Sequence, residues 1–288
     1  MKQTANSMRF AIRTDASLQI GTGHVMRCLT LAAGLADRGA QVDFLCRAHQ
    51  GNLIALIEKR GFRVITLPFG SWSDKTPLDQ PTHAHWLGCD WQTDAQQSCN
   101  AISGTVDWIV VDHYGLDHRW ETMMRTKCAR IMCIDDLADR PHDCDMLLDQ
   151  SLGRCSQDYA QMVPERAKLM LGPRYALLRP EFAQWRDTSL ARRETPQLCH
   201  ILVTMGGVDA DNVTGRVMTA LQGSDIATLD KITVVLGPHA PWRDQVTRQA
   251  AEMPVPTQVL SGVDNMAELM TSCDLAIGAG GSTTWERC

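Results

Sequence analysis

The chain has 288 residues, 44% apolar and 21% charged, with a formal net charge of −5. That length suits two α/β domains, and an acidic balance without a long basic run argues against a nucleic-acid surface. No stretch approaches the ~18 apolar residues of a membrane span, and the opening MKQTANS lacks a signal-peptide profile, so no membrane association and a cytoplasmic location are expected.

In chain order, short β-rich runs alternate with helical stretches, the rhythm of βα units around a parallel sheet. After the polar extension before Met8, RFAIRT (9–14) reads as a strand and 24–38 as an amphipathic helix closed by Gly39. QVDFLC (41–46), a helix over 52–60 and FRVITL (62–67) follow, then a polar loop from Pro68 to Trp86. Next come helix 92–103, strand DWIVVD (107–112), helix 117–127 and strand RIMCID (130–135), with short apolar runs at 146–148 and 168–171 closing the sheet. The stretch 172–197 is charged and carries Pro173, Pro180 and Pro196, as a domain connection does.

Beyond it the rhythm restarts with strands in 199–207, 231–237, 257–260 and 274–281, and helices over 212–222, 241–251 and 264–271. The expected division is a domain over 8–172, a linker over 173–197 and a second domain over 198–288. STTWERC starts a further helix that ends within about two turns, so the second domain is expected to be C-terminally incomplete. The eleven cysteines are scattered and never spaced as CxxC, which predicts reduced thiols and neither a disulfide framework nor a zinc site.

Chemistry concentrates at strand–glycine–helix turns, where a parallel sheet presents its ligand sites. MGGVDADN (205–212) and GAGGSTTWE (278–286) suit phosphate, because glycines permit close backbone approach and a helix start offers free N–H groups. Asp209-Ala210-Asp211 forms a DxD, which reads better as a helix cap than as a metal site, so no metal is assigned. Glu286 suits the hydroxyls of a ribose, or else serves as an ordinary acid at a helix start.

The first turn, IGTGHVMR, departs from GxGxxG because Met26 stands at the third glycine, and the second strand ends at Cys46-Arg47 without a ribose-binding acid. Both departures argue against NAD. Instead Gly21 and Gly23 frame His24 at a helix start, where the helix dipole favours the neutral ring, the form able to take a proton. Arg13 and Asp15 close the preceding strand; Asp15 is placed to orient His24 or to contact a sugar hydroxyl, and Arg27 to face a diphosphate. VVDHYG (110–115) and Asp135-Asp136 end strands at the same edge, whereas His83 and His85 read as surface histidines of the 68–86 loop, and the Trp residues, Trp86 of that loop included, as core and linker packing. No GxSxG elbow is present.

Together RTDASLQIGTGHVMRCLTLA, VVDHYG, IDD…HDCDMLLDQ, YALLRPEF, TMGGVDADN and GAGGSTTWE resemble the PseG family, UDP-sugar hydrolases of pseudaminic acid biosynthesis that serve flagellin glycosylation. The resemblance spans about Met8 to Glu286, and related spore-coat polysaccharide proteins share its first motif. It implies a GT-B fold, two Rossmann-like doubly wound domains facing a cleft, similar to MurG.

The implied reaction is inverting, metal-independent attack of water on UDP-2,4-diacetamido-2,4,6-trideoxy-β-L-altropyranose, with no cofactor. His24 and Tyr114 map to catalytic positions, with Asp15 beside them. Arg13, Gly21, Gly23, Arg27, Arg179, Gly206, Gly207, Gly281, Ser282 and Glu286 map to substrate binding. Trp285 stands where some members carry asparagine. The alternatives are a GT-B transferase using an alcohol acceptor and a non-catalytic fragment that binds nucleotide sugar.

Overall fold

The computed structural model describes residues 7–69, 80–224, 226–238, 240–281 and 283–288. Two compact units divide it: one runs to Ile20 and from His24 to Leu177, and the other takes Leu178–Cys288 with Gly21–Gly23.

The first unit holds a seven-stranded parallel sheet of β1 (Arg9–Thr14), β2 (Gln41–Arg47), β3 (Arg63–Leu67), β4 (Val106–Asp112), β5 (Cys128–Ile134), β6 (Met146–Asp149) and β7 (Lys168–Leu171). Its order is β3-β2-β1-β4-β5-β6-β7, so the strand order reverses between β1 and β4 while all strands stay parallel. Strand alternation gives the sheet two buried faces. Phe10, Ile12, Val110 and Ile134 pack with Val25, Cys28, Leu29 and Ala32 of α1 (Gly23–Ala36). Ala11, Ile109, Val111 and Cys133 pack on the opposite face with Ala95 of α3 (Trp91–Ala101) and with Trp120 and Met124 of α4 (His118–Met124). The short α2 (Ile54–Lys59) joins β2 to β3 and buries Ile57.

The second unit repeats the plan with β8 (His200–Thr204), β9 (Lys231–Leu236), β10 (Thr257–Ser261) and β11 (Leu275–Gly278), ordered β10-β9-β8-β11 and all parallel. Its helices are α5 (Pro180–Arg192), α6 (Val213–Gln222), α7 (Arg243–Ala251), α8 (Met266–Ser272) and α9 (Thr283–Glu286). Among the described residues, no helix is long and apolar enough to cross a membrane.

The segment read as a connection, 173–197, is largely folded. Pro173 and Pro180 stand in the first turns of a 3-10 turn and of α5, where a missing N–H costs nothing. Phe182 of α5 packs with Leu202, Val235, Met270 and Cys273. At the end of the helix, Arg192 and its C-cap neighbour Arg193 each donate at 2.9 Å to the Cys273 carbonyl, just past the C-terminus of α8. Charge and proline marked a helix with one wet face, and α5 belongs with the second unit.

Candidate active site

Side-chain parity decides what meets at the carboxyl edge of the first sheet. Asp112 shares its strand face with Val110, and Asp136 lies two residues beyond Ile134, so both carboxylates fall on the α1 side. His24 and Arg27 lie one turn apart on α1 and face them. Asp112 Oδ1 accepts from His24 Nδ1 at 2.6 Å and from Arg27 Nη2 at 2.7 Å, while its Oδ2 accepts from Arg27 Nε at 2.6 Å. Cys28 Sγ donates to the same oxygen at 3.4 Å. Arg27 Nη1 reaches Asp136 at 2.8 Å, the Tyr114 hydroxyl donates to the other Asp136 oxygen, and the His24 and Tyr114 rings meet edge-on at 4.4 Å. His24, Asp112, Arg27, Asp136 and Tyr114 form a closed ring, with Cys28 beside it.

Burial opposes ionisation of Asp112, but the Arg27 guanidinium and then His24 outweigh it and hold the carboxyl well below its ordinary range. A carboxylate against Nδ1 fixes the proton on that nitrogen, since the contact with Arg27 Nη2 is longer at 3.2 Å. Nε2 therefore carries the lone pair, and no hydrogen bond described for the chain engages it. Burial, and then Asp136, push the Tyr114 phenol well above its usual value. Tyr114 thus lines the site as a protonated ring with its hydroxyl turned inward. At the catalytic position that the resemblance implied, Tyr114 therefore offers a ring and not a free hydroxyl.

Asp15 and Arg13 sit elsewhere. Both share the parity of Ala11, so they point to the α3 face, away from His24. Arg13, fully buried, pairs with Asp94 at 2.7 Å and with Asp15 at 2.7 Å; Asp15 also accepts from the Arg47 backbone at 2.7 Å. Arg47 joins the same carboxylate, Asp94, at 2.7 Å. Asp15 Oδ2 lies 3.4 Å from His113 Nε2 and 3.5 Å from His49 Nε2. These groups brace the sheet edge. The residue that orients His24 is Asp112, and Arg27 is committed to two carboxylates where the sequence suggested a diphosphate. Gly21 takes φ +80 before α1, a backbone that a side chain would strain; Gly23 opens the helix.

Glu121, Cys133 and His142 bring metal-type donors within 4.8 Å of one another, all buried. They already serve each other: Glu121 accepts from His142 Nδ1 at 2.7 Å, from Cys133 Sγ at 3.1 Å and from the Asp143 backbone at 2.5 Å.

In the second unit, Gly206 takes φ +84 after β8, and the N–H groups of Gly206 and Gly207 appear in no described backbone hydrogen bond. The start of α6 is closed. Asp209 accepts from the N–H groups of Val213 at 2.8 Å and Thr214 at 2.9 Å, and Asn212 accepts from Gly215 at 3.1 Å. Asp209 of the DxD therefore caps the helix, and the N–H groups of Val213, Thr214 and Gly215 that were expected to face a phosphate are in use. Arg179 and Glu286 meet at 3.3 Å beside a groove of about 370 Å³ that Phe182, Trp185 and Trp285 also line. Burial raises the Glu286 carboxyl, and Arg179 offsets part of that rise. Gly281 takes φ +94 ahead of α9, and Ser282 lies outside the described residues.

Solved structures give the class first. The chain is similar to Acinetobacter baumannii MurG, with a TM-score of 0.56 and 14% identity over 96% of this chain and 74% of that one. The fold is the GT-B type, built from two Rossmann-like α/β units. Among curated proteins, an uncharacterized protein of Methanocaldococcus jannaschii is 26% identical over 283 residues, 97% of this chain and 53% of that protein. The UDP-2,4-diacetamido-2,4,6-trideoxy-β-L-altropyranose hydrolase of Campylobacter jejuni is 26% identical over 224 residues, 77% of this chain and 69% of the enzyme. The likeness to the PseG family read from the motifs holds over that span. The chain covers about half the length of the first of these relatives. No family model matches.

Proposed function

We propose that the chain acts on a UDP-sugar and hydrolyses it to UDP and the free sugar. The observation that carries this reading is the 2.6 Å bond between His24 Nδ1 and Asp112, which leaves Nε2 as a base at the sheet's carboxyl edge. In the proposed step, Nε2 takes a proton from water as its oxygen attacks the anomeric carbon. The bond from that carbon to the phosphate oxygen breaks, its electron pair leaves with UDP, and the anomeric configuration inverts. Asp112 keeps the ring oriented and stabilises the imidazolium that forms. The resemblance and the Campylobacter jejuni relative support UDP-2,4-diacetamido-2,4,6-trideoxy-β-L-altropyranose as the substrate. Gly206, Gly207, Arg179 and Glu286 are proposed to take the nucleotide end.

The test is NMR of that UDP-sugar with the protein in ¹⁸O-labelled water. Label in the sugar and none in UDP, with the inverted anomer appearing first, is the expected result. Label in UDP would place cleavage at phosphorus and defeat the reading. Turnover that needs an added alcohol acceptor would make the chain a transferase. Loss of at least about a hundred-fold in kcat for His24→Ala is expected of a general base; retained activity in that variant removes His24 from the role.

A further inference from the structure

His83, which read as loop surface, and Trp86 of the same loop are packed against Tyr114 of the catalytic ring, whereas His85 is exposed. A 3-10 turn over Ala84–Leu87 is pinned by buried Ala84 and Leu87, with buried Cys89 just beyond. That anchoring leaves His83 and Trp86 half-buried. The Trp86 ring lies 4.4 Å from His83 and 5.8 Å from Tyr114, inclined 31° to the latter, and His83 lies 5.5 Å from Tyr114. Tyr114 in turn abuts His24. Gly115 makes this approach possible: a Cβ there would stand 2.9 Å from the His83 carbonyl oxygen. His85 Nε2 and Gln19 Nε2, 3.0 Å apart, tie the turn to the loop ahead of α1.

Trp91 and Trp120 pack in the core on the α3 face and Trp108 in the core on the α1 face, whereas Trp86 and Tyr114 belong to neither. Two large rings, Tyr114 against the base and Trp86 against Tyr114, thus stand at the site without serving the core. Partly exposed aromatic faces next to a reactive group are the usual lining of a small-molecule site. The Tyr114 hydroxyl is occupied by Asp136, so Tyr114 gives the wall ring surface.

We propose that Trp86, flanked by His83 and Tyr114, is the binding subsite for the sugar, taking the apolar C–H face of the pyranose against the indole. This rests on the reading that the substrate is a UDP-sugar. The sugar's polarised C–H groups meet the electron-rich ring face, and stacking fixes the anomeric carbon relative to His24.

The protein labelled with 5-fluorotryptophan tests this by ¹⁹F NMR; among the eight tryptophans, the Trp86 signal is the one lost in Trp86→Phe. UDP-2,4-diacetamido-2,4,6-trideoxy-β-L-altropyranose should shift the Trp86 signal and UDP alone should not. Trp86→Ala should raise KM for UDP release by about ten-fold with a smaller change in kcat, and Trp86→Phe should restore most of it. An unmoved Trp86 signal, or an equal shift with UDP, overturns the subsite. Unchanged KM in Trp86→Ala does so too. A sugar-specific shift without UDP release would uphold the subsite and defeat the hydrolytic reading alone.

Discussion

Asp112 is the side chain on which the most depends. It receives four donors from three residues of one helix, and two of them come from a buried guanidinium. Asp112→Asn keeps the shape but turns an acceptor-only group into one with N–H bonds. It also removes the charge that balances Arg27. Two losses should follow together. Catalysis should fall on the order of a hundred-fold or more, because the His24 tautomer is no longer fixed. Stability should fall by about 3 kcal/mol, with Asp136 left as the remaining anion for Arg27. Urea titration and steady-state kinetics on one preparation would measure both; an unaltered rate would show that Asp112 only neutralises charge. Tyr114→Phe should behave differently. Losing one hydrogen bond to Asp136 costs about 1 kcal/mol and, with the ring kept, less than about ten-fold in kcat. A large kcat loss in that variant would give Tyr114 a part in proton transfer.

Elements explain why part of this site was legible in the sequence and part was not. The strands and the glycine turns are local signals, and the expected runs at 9–14, 41–46 and 168–171 lie where β1, β2 and β7 form. The partner of His24 is not local. Asp15, Asp112 and Asp135 all end strands, and only the order that sets β4 beside β1 brings Asp112 to α1. Parity would have narrowed the choice: Asp15 shares a face with Ala11, and Asp112 shares one with Val110. Trp86 was hidden for another reason, because its neighbours arrive through the shape of a turn and not through periodicity. That turn depends on Gly115. In Gly115→Ala the new Cβ would meet backbone at 2.9 Å and the Leu87 side chain at 3.1 Å, so the 83–87 segment must move. A loss of about 1–3 kcal/mol, read from the urea midpoint, is expected along with a displaced Trp86 ¹⁹F signal. In the second unit, Asp209→Ala removes a cap worth about 1 kcal/mol. UDP affinity by calorimetry should hold or rise, since a carboxylate leaves a proposed diphosphate site. A steep fall would give Asp209 a binding role.

At the scale of the whole molecule, the buried charges make stability depend on pH in two stages. Burial disfavours a charged imidazole at His113, and Asp15 only partly offsets this, so its folded value lies below the ordinary one; the same holds, burial first, for His200 in the second unit. His113 Nδ1 also accepts from the Gly115 N–H at 3.0 Å, which commits the ring to the neutral form. A depressed histidine contributes stability that is present above about pH 6.5 and is lost as pH falls toward its folded value. The carboxylates respond lower down. Burial acts against Asp15, Asp94 and Asp112, yet their arginine partners hold all three below the usual range. Their contribution is complete above about pH 4 and disappears as pH drops through the folded values. Melting temperature should therefore be level near neutrality, decline gently below about pH 6.5 and fall steeply below about pH 4. The gentle stage belongs to His113 in the first unit and His200 in the second, with His83 of the first unit lowered in the same sense, burial first. The steep one belongs mainly to the first unit, whose Arg13–Asp94–Arg47 and Arg27–Asp112 clusters hold the sheet's carboxyl edge together. Melts monitored by a ¹⁹F tryptophan signal from each unit, Trp120 in the first and Trp242 in the second, would separate them. A second unit that lost stability as steeply below pH 4 as the first would show that these clusters are not what fails in acid.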